Sequence, residues 1–305
     1  MSKILKAHFV LFFVNAVYAL NYLVAKGIMP DFIGPSGFIF YRVTGAVILF
    51  FIIKSRVKEK VAKKDWIKLA LAGLFGVAIN QLLFFNGLNL TSPINASIIM
   101  TSNPIMVLLI SNVLIREKIT GGKLLGIIIG GVGAILLLIS TNGQGDGNES
   151  FLGDLMVFIN ALSYGIYLVI AKPLLKKYNP ITVITWVFFF GWIFVAPIGI
   201  EQALEVDWLA MPVDILWGVA YVIFFTTFLV YLLNVYALKI VSPSVASTYI
   251  YFQPVLAGLF AFLFDYLYNN EQGYSQDITW FKVLVTLMIF VGVYLVGRSS
   301  LNKKE

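Results

Sequence analysis

The sequence predicts an all-α integral membrane protein with ten transmembrane helices built from two inverted five-helix repeats, on three observations. Its 305 residues are 60% hydrophobic and 12% charged, with a mean hydropathy of +0.90, whereas soluble domains carry about a quarter charged residues. The apolar residues gather in runs close to the ~20 residues a helix needs to cross a bilayer, and do not alternate as the strands of a barrel do. Finally, the chain repeats itself at constant offsets, and its basic residues fall in every second connection.

Helix 1, at residues 7–25, follows Lys3 and Lys6 in the manner of a signal peptide, yet no A-x-A-like cleavage site interrupts it before Ala25, so it reads as a retained span. Helix 2 spans 35–53, and its Pro35 returns 145 residues later as Pro180. The basic stretch from Lys54 to Lys64 closes it as a topogenic, headgroup-contacting loop. Helices 3 (67–88) and 4 (93–115) meet at Ser92 and Pro93, an N-cap followed by a first-turn proline. Helix 5 (123–140) carries Gly126, Gly130 and Gly133 on a small-residue face suited to close packing against a neighbour, with dimerisation through that face, or through Gly292 of helix 10, as the alternative. Glycines and acids mark the 141–150 loop as an exposed external connection. Helices 6 (153–171), 7 (180–199), 8 (214–237), 9 (243–266) and 10 (279–297) follow.

Distributing the connections over two sides places 19 of the 22 basic residues on one side, with Lys26 and Lys282 on the other beside most of the acids. By the positive-inside rule the basic side is cytoplasmic, and so are both termini. The expected location is a plasma membrane or bacterial inner membrane. Phe13, Asn15, Ala16, Tyr22, Leu23 and Val24 recur as Phe158, Asn160, Ala161, Tyr167, Leu168 and Val169. The halves are therefore residues 1–150 and 151–305, and an odd number of spans in each makes the second copy enter the membrane the other way up.

The Tyr41-Arg42 pair in helix 2, the "SPINASIIMTSNPIM" helix, the Arg116-Glu117-Lys118 turn after it and the glycines of helix 5, in a chain of five plus five helices, resemble the drug/metabolite transporter superfamily, EamA type. The resemblance covers essentially the whole chain and implies a transporter. Where the family commonly has a short Gly-Glu turn after helix 9, this chain has a longer aromatic and polar insert at 265–277.

The most distinctive stretch occurs twice. Ser92, Pro93, Ala96, Ser97, Asn103 and Pro104 return 150 residues later as Ser242, Pro243, Ala246, Ser247, Gln253 and Pro254. At about 1.5 Å per residue, Asn103 and Gln253 lie on the order of 16 Å into the membrane, near its middle. Pro104 and Pro254 cannot donate to the carbonyls of Met100 and Ile250, so each helix is expected to kink there and to flex during gating. Two readings of the amides stand: satisfaction of a neighbouring backbone group, or a substrate-facing polar pair.

Asn15 and Tyr18 of helix 1 and Asn160 and Tyr164 of helix 6 sit at helical spacing with Tyr22 and Tyr167, which compete as interfacial anchors. Gln81 and Tyr231 occupy one repeat position in helices 3 and 8, among Asn80, Thr226, Thr227 and Asn234, and Tyr249 precedes Gln253 by one turn as an aromatic wall. Arg42, about a turn and a half from the external end of helix 2, is expected to snorkel outward as a structural or outer-vestibule charge.

With no cysteine and one histidine, the chain offers no thiolate, no clustered metal site and no deep carboxylate pair, so neither an enzyme nor a cofactor protein is expected. The expected partners are a small-molecule substrate and the lipid bilayer rather than nucleic acid, with monomer and homodimer both open. Amides, hydroxyls and tyrosines point to small neutral or zwitterionic solutes, amino-acid-like or aromatic, moved outward by alternating access around a midplane site. The alternatives are a phosphorylated-metabolite or nucleotide-sugar exchanger, which would want several fixed cations, and, less well supported, an intramembrane enzyme or scaffold.

Overall fold

Ten helical rods run through the structure, a computed structural model that describes residues 3–115, 121–140, 151–241, 243–267 and 273–301. The Arg116-Glu117-Lys118 turn, the 141–150 loop with the expected boundary between the halves, and Ser242 lie outside these residues. Helix 1 spans Lys3–Ile28 and helix 2 Pro35–Lys54. Helix 3 is one rod, Lys63–Leu90, and helix 4 consists of Pro93–Met100 and Asn103–Ile115. Helix 5 is Gly121–Ser140, helix 6 Phe151–Lys177 and helix 7 Pro180–Leu204. Helix 8 is the rod Val213–Ile240, and helix 9 runs from Pro243–Thr248 through a 3-10 turn at Tyr249–Tyr251 into Phe252–Leu267. Helix 10 is Trp280–Leu301.

Seven of these rods are long and apolar enough to cross a bilayer, and apolar stretches at Leu124–Gly133 and Trp280–Gly292 add to them. Large apolar side chains such as Ile67, Ile128, Leu259 and Leu284 are exposed around the outside, an arrangement that suits lipid and not water. Several helices are longer than hydropathy alone suggests. Helix 6 continues from 171 to Lys177 and helix 7 from 199 to Leu204, because backbone hydrogen bonding persists where the side chains have already become polar.

Helix starts follow the sequence signals. Pro35 and Pro180 occupy the first turns of helices 2 and 7, and Asn179 caps the latter by accepting from Ile181 N–H at 3.0 Å. Ser92 caps helix 4, its hydroxyl accepting from Asn95 N–H at 3.1 Å. The helix ends are also closed in matching ways. Lys26 Nζ donates to the carbonyls of Leu88, Asn89 and Thr91 at 3.0, 2.8 and 3.0 Å, covering the C-terminus of helix 3. Lys172 does the same for the carbonyls of Leu238 and Val241 at the end of helix 8.

Packing obeys the same two-fold logic. Helix 1 lies against helices 8 and 9, as helix 6 lies against helices 3 and 4. Helices 2 and 7 pair with each other, as do helices 5 and 10. The small-residue face of helix 5 is used inside this last pair. A Cβ on Gly292 would meet Gly130 N at 2.5 Å and Gly126 O at 2.6 Å, so the two backbones touch there and that face is occupied within the chain.

Helices 3 and 8 share a feature that hydropathy did not reveal. Each contains a π-helical segment, at Leu74–Ile79 and Val222–Leu229, in matching halves of the repeat. The wider i→i+5 turn re-aims the residues that follow it, and such segments frequently occur at functional sites. After helix 9, the described end of the insert folds back as Asp265 accepts from Tyr274 N–H at 3.1 Å and Ser275 N–H at 2.7 Å. The same segment is tied to helix 4, since the Asp277 carboxylate accepts from both the Ser92 hydroxyl and Lys282 Nζ.

Candidate functional site

The polar faces of helices 1, 3, 6, 8 and 9 converge, with Arg42 of helix 2 and Met100 of helix 4, around a cavity of about 70 Å³. Helix 1 supplies Asn15, Tyr18, Asn21 and Tyr22 along one face. Helix 3 supplies Asn80, Gln81, Phe84 and Phe85 directly after its π segment. Tyr231 and Asn234 come from helix 8, again just after its π segment, and Asn160 and Tyr164 from helix 6. Gln253 and Ile250 of helix 9 complete the wall, with Ala246 and Val14.

Hydrogen bonds cross between helices throughout this wall. Tyr22 donates to Gln253 Oε1 at 2.7 Å, and Gln253 Nε2 donates to Asn15 Oδ1 at 2.7 Å. Asn15 Nδ2 in turn donates to Leu11 O at 2.7 Å, which fixes its amide orientation. Asn234 Nδ2 donates to the Tyr164 hydroxyl at 2.7 Å. Gln81 Nε2 and Asn80 Oδ1 both lie at 3.5 Å from the Tyr231 hydroxyl, the first donating and the second accepting. Tyr231 also meets Tyr18 edge to face, their centroids 6.4 Å apart.

The structure thus brings Asn15, Tyr18, Gln81, Asn160, Tyr164, Tyr231 and Gln253 to one cavity. Tyr22 and Tyr167, at 2% and 1% exposure, are buried in the protein and are not interfacial anchors. Other expectations are corrected. Arg42 does not snorkel: it is 2% exposed and lines the cavity, held by the Phe85 and Phe38 rings and by Thr227. Tyr249 does not flank Gln253 in the wall, because the 3-10 turn carries it towards helix 1, where its hydroxyl is hydrogen bonded to His8 Nδ1 at 2.6 Å. Asn103 is absent from the wall as well. Its Nδ2 donates to Ala161 O at 2.8 Å, tying helix 4 to helix 6.

The kinks fall where the prolines put them. Helix 4 is interrupted between Met100 and Asn103, with Thr101 N–H and Ser102 N–H making i→i−3 bonds to Ile98 O and Ile99 O, and helix 9 is tightened at Tyr249–Tyr251. Pro104 is buried, while Pro254 faces an apolar groove of about 460 Å³ between helices 4, 9 and 10. Trp186 and Trp192 stay outside the cavity, the first packing edge to face on Trp66 and the second donating to Thr44 Oγ1 at 3.0 Å.

Sequence reasoning missed Asn21, Phe84 and Phe85. Asn21 sits three residues after Tyr18 on the face already identified, so the same spacing rule would have found it. Phe84 and Phe85 carry no such signal, since an aromatic residue in an apolar span reads identically whether it faces lipid or cavity.

Comparison with known proteins bears on the family and the fold. The EamA-like transporter family matches residues 5–139 and 151–298. An uncharacterized transporter of Archaeoglobus fulgidus is 22% identical over 95% of this chain and 96% of its own length, and the uncharacterized transporter YyaM of Bacillus subtilis is 24% identical over 83% and 80%. A solved crystal structure, 16% identical, superposes over 98% of this chain and 99% of its own with a TM-score of 0.65, which establishes the fold. With two matches that together span nearly the whole sequence, the chain belongs to the EamA-like transporter family, and it is an integral membrane transporter.

Proposed function

We propose that this transporter moves small neutral or zwitterionic metabolites, amino-acid-like or aromatic, outward by alternating access around the cavity that Gln253 lines. One asymmetry carries the reading. Tyr22 and Gln253 correspond by repeat position to Tyr167 and Asn103. The first pair is bonded at 2.7 Å, while the Tyr167 hydroxyl and Asn103 Oδ1 are buried without a hydrogen-bond partner. A buried polar atom left unmade costs about 1–3 kcal/mol, so an unpaired donor and acceptor at equivalent positions favour a second arrangement in which they are satisfied. In an inverted repeat the opposite-facing state arises when the two halves exchange conformations. That exchange joins Tyr167 to Asn103 and releases Tyr22 from Gln253.

Exchange between the two arrangements requires the walls of the cavity to move. The π segments and the two broken helices are the flexible points available for that movement.

The test is flux in proteoliposomes. Gln253→Leu is expected to abolish transport in protein that still folds, with a lowered melting temperature because the Tyr22 hydroxyl and Asn15 Oδ1 lose their buried partner, and normal flux in this variant rejects the central site. Tyr167→Phe is expected to slow flux severalfold without destabilising the state described here, because its hydroxyl has no partner in it. Loading inside-out and right-side-out vesicles with the same solute checks the outward direction, and labelled protein termini check that both are cytoplasmic.

A further inference from the structure

Among the described residues, Arg42 is the one formal charge in the cavity wall; every other polar lining residue there is a tyrosine or an amide. Its Nε donates to Thr227 Oγ1 at 3.0 Å, and its guanidinium carbon lies 4.1 Å from the centroid of the Phe85 ring and 5.7 Å from that of Phe38. These contacts fix the fork in place without neutralising it. Nη1 is buried with no hydrogen-bond partner. Among the described residues no carboxylate pairs with it; Asp65 and Asp277, for instance, are paired with Lys177 and Lys282.

An uncompensated cation inside a membrane protein is strongly unfavourable, and ionisable groups at such depth generally serve a ligand or ion path. A structural arginine would direct its five donors to backbone carbonyls or to an acid. This one has a single hydroxyl as acceptor and otherwise faces a cavity.

The opposite chemistry is also left open in the same wall. Asn160 Nδ2 donates to the Asn80 carbonyl at 2.5 Å, which fixes the orientation of its amide and leaves Oδ1 a buried acceptor without a donor. Asn21 Oδ1 and Gln81 Oε1 are in the same condition. The site therefore lacks one anionic acceptor at Arg42 and at least one donor at the amide oxygens.

We propose that Arg42 binds the carboxylate of the transported solute and that Asn160 accepts from a donor, such as an ammonium, on the same molecule. This rests on the transport reading above and narrows it from neutral or zwitterionic solutes to those with one carboxylate. A planar guanidinium matches a carboxylate in two parallel hydrogen bonds. A phosphate dianion would bring more charge than one arginine balances, so the phosphorylated-metabolite alternative fits this cavity poorly. Phe84 and Phe85 give the apolar wall for the remainder of the solute.

Purified protein is tested with L-phenylalanine, L-phenylalaninamide and 3-phenylpropionate, by thermal shift in detergent and by counterflow in proteoliposomes. Wild type is expected to prefer phenylalanine over phenylalaninamide by about tenfold or more, the usual size of a charge-assisted pair. Phenylpropionate, which keeps the carboxylate and lacks the ammonium, is expected to fall between them. Arg42→Gln should erase the preference for phenylalanine over its amide, and Arg42→Lys should retain part of it. Equal handling of acid and amide by wild type, or a preference that survives in Arg42→Gln, overturns the anchor while leaving transport intact. Should Arg42→Gln fail to fold, the wild-type comparison and Arg42→Lys decide the matter: an Arg42→Lys protein with an undiminished preference also overturns it. If wild type moves none of the three probes nor a wider panel of neutral solutes, the transport reading falls and the anchor with it.

Discussion

Lys26 shows how a charged residue can be structural at the edge of an apolar bundle. Its ammonium reaches three carbonyls that helix 3 leaves open at its C-terminus, where the macrodipole also favours a cation. Lys26→Met is expected to destabilise the protein by about 1–3 kcal/mol, read as a lower melting temperature in detergent, because those carbonyls lose their donor in a part-buried place. An unchanged melting temperature would show that water replaces the ammonium without loss. Arg42 marks the opposite case and the limit of counting along a sequence. Its distance from the helix end suggested an outward reach, but that distance says nothing about which side of the helix meets protein. The shelf that holds it is partly Phe85, a residue of another helix, and tertiary packing alone brings the two together. Asn15, Tyr18, Asn160 and Tyr164 were legible because an amide or hydroxyl deep in an apolar run needs a non-lipid neighbour, whichever helix provides it.

The elements differ in how plainly they announce themselves. The breaks in helices 4 and 9 could be read from Pro104 and Pro254, since a missing N–H has a fixed position in the chain. The π segments at Leu74–Ile79 and Val222–Leu229 could not, because no residue type marks a shift to i→i+5 bonding. Tyr249 was misplaced for a related reason: α-helical spacing was assumed across a turn that is 3-10. Between helices 5 and 10 the decisive residue is Gly292. Any side chain there drives into the helix 5 backbone, with Gly130 N at 2.5 Å, so neither partner has a flexible group to move aside. Gly292→Ala is expected to cost about 1–3 kcal/mol through overpacking, measured as reduced thermal stability and less monodisperse protein. Wild-type stability in that variant would contradict the close approach of the two helices.

For the whole molecule, the number of spans and their alternation followed from the distribution of lysine and arginine, a pattern that one added or missing span would have scrambled. The resulting sidedness is directly testable because the chain contains no cysteine. Single replacements at Ser55, in the basic connection after helix 2, and at Leu209, fully exposed between helices 7 and 8, serve as reporters. In intact cells a membrane-impermeant maleimide is expected to label Leu209→Cys and to spare Ser55→Cys until the membrane is opened; the reverse labelling would invert the assigned orientation. The cavity itself was less legible than the topology, since it forms only when polar faces of several helices meet, and no single stretch contains it. The paired π segments extend the two-fold correspondence to an irregularity. A widened turn at the same place in both halves fits two copies of one unit, each presenting a polar side chain, Gln81 or Tyr231, to the cavity just beyond it.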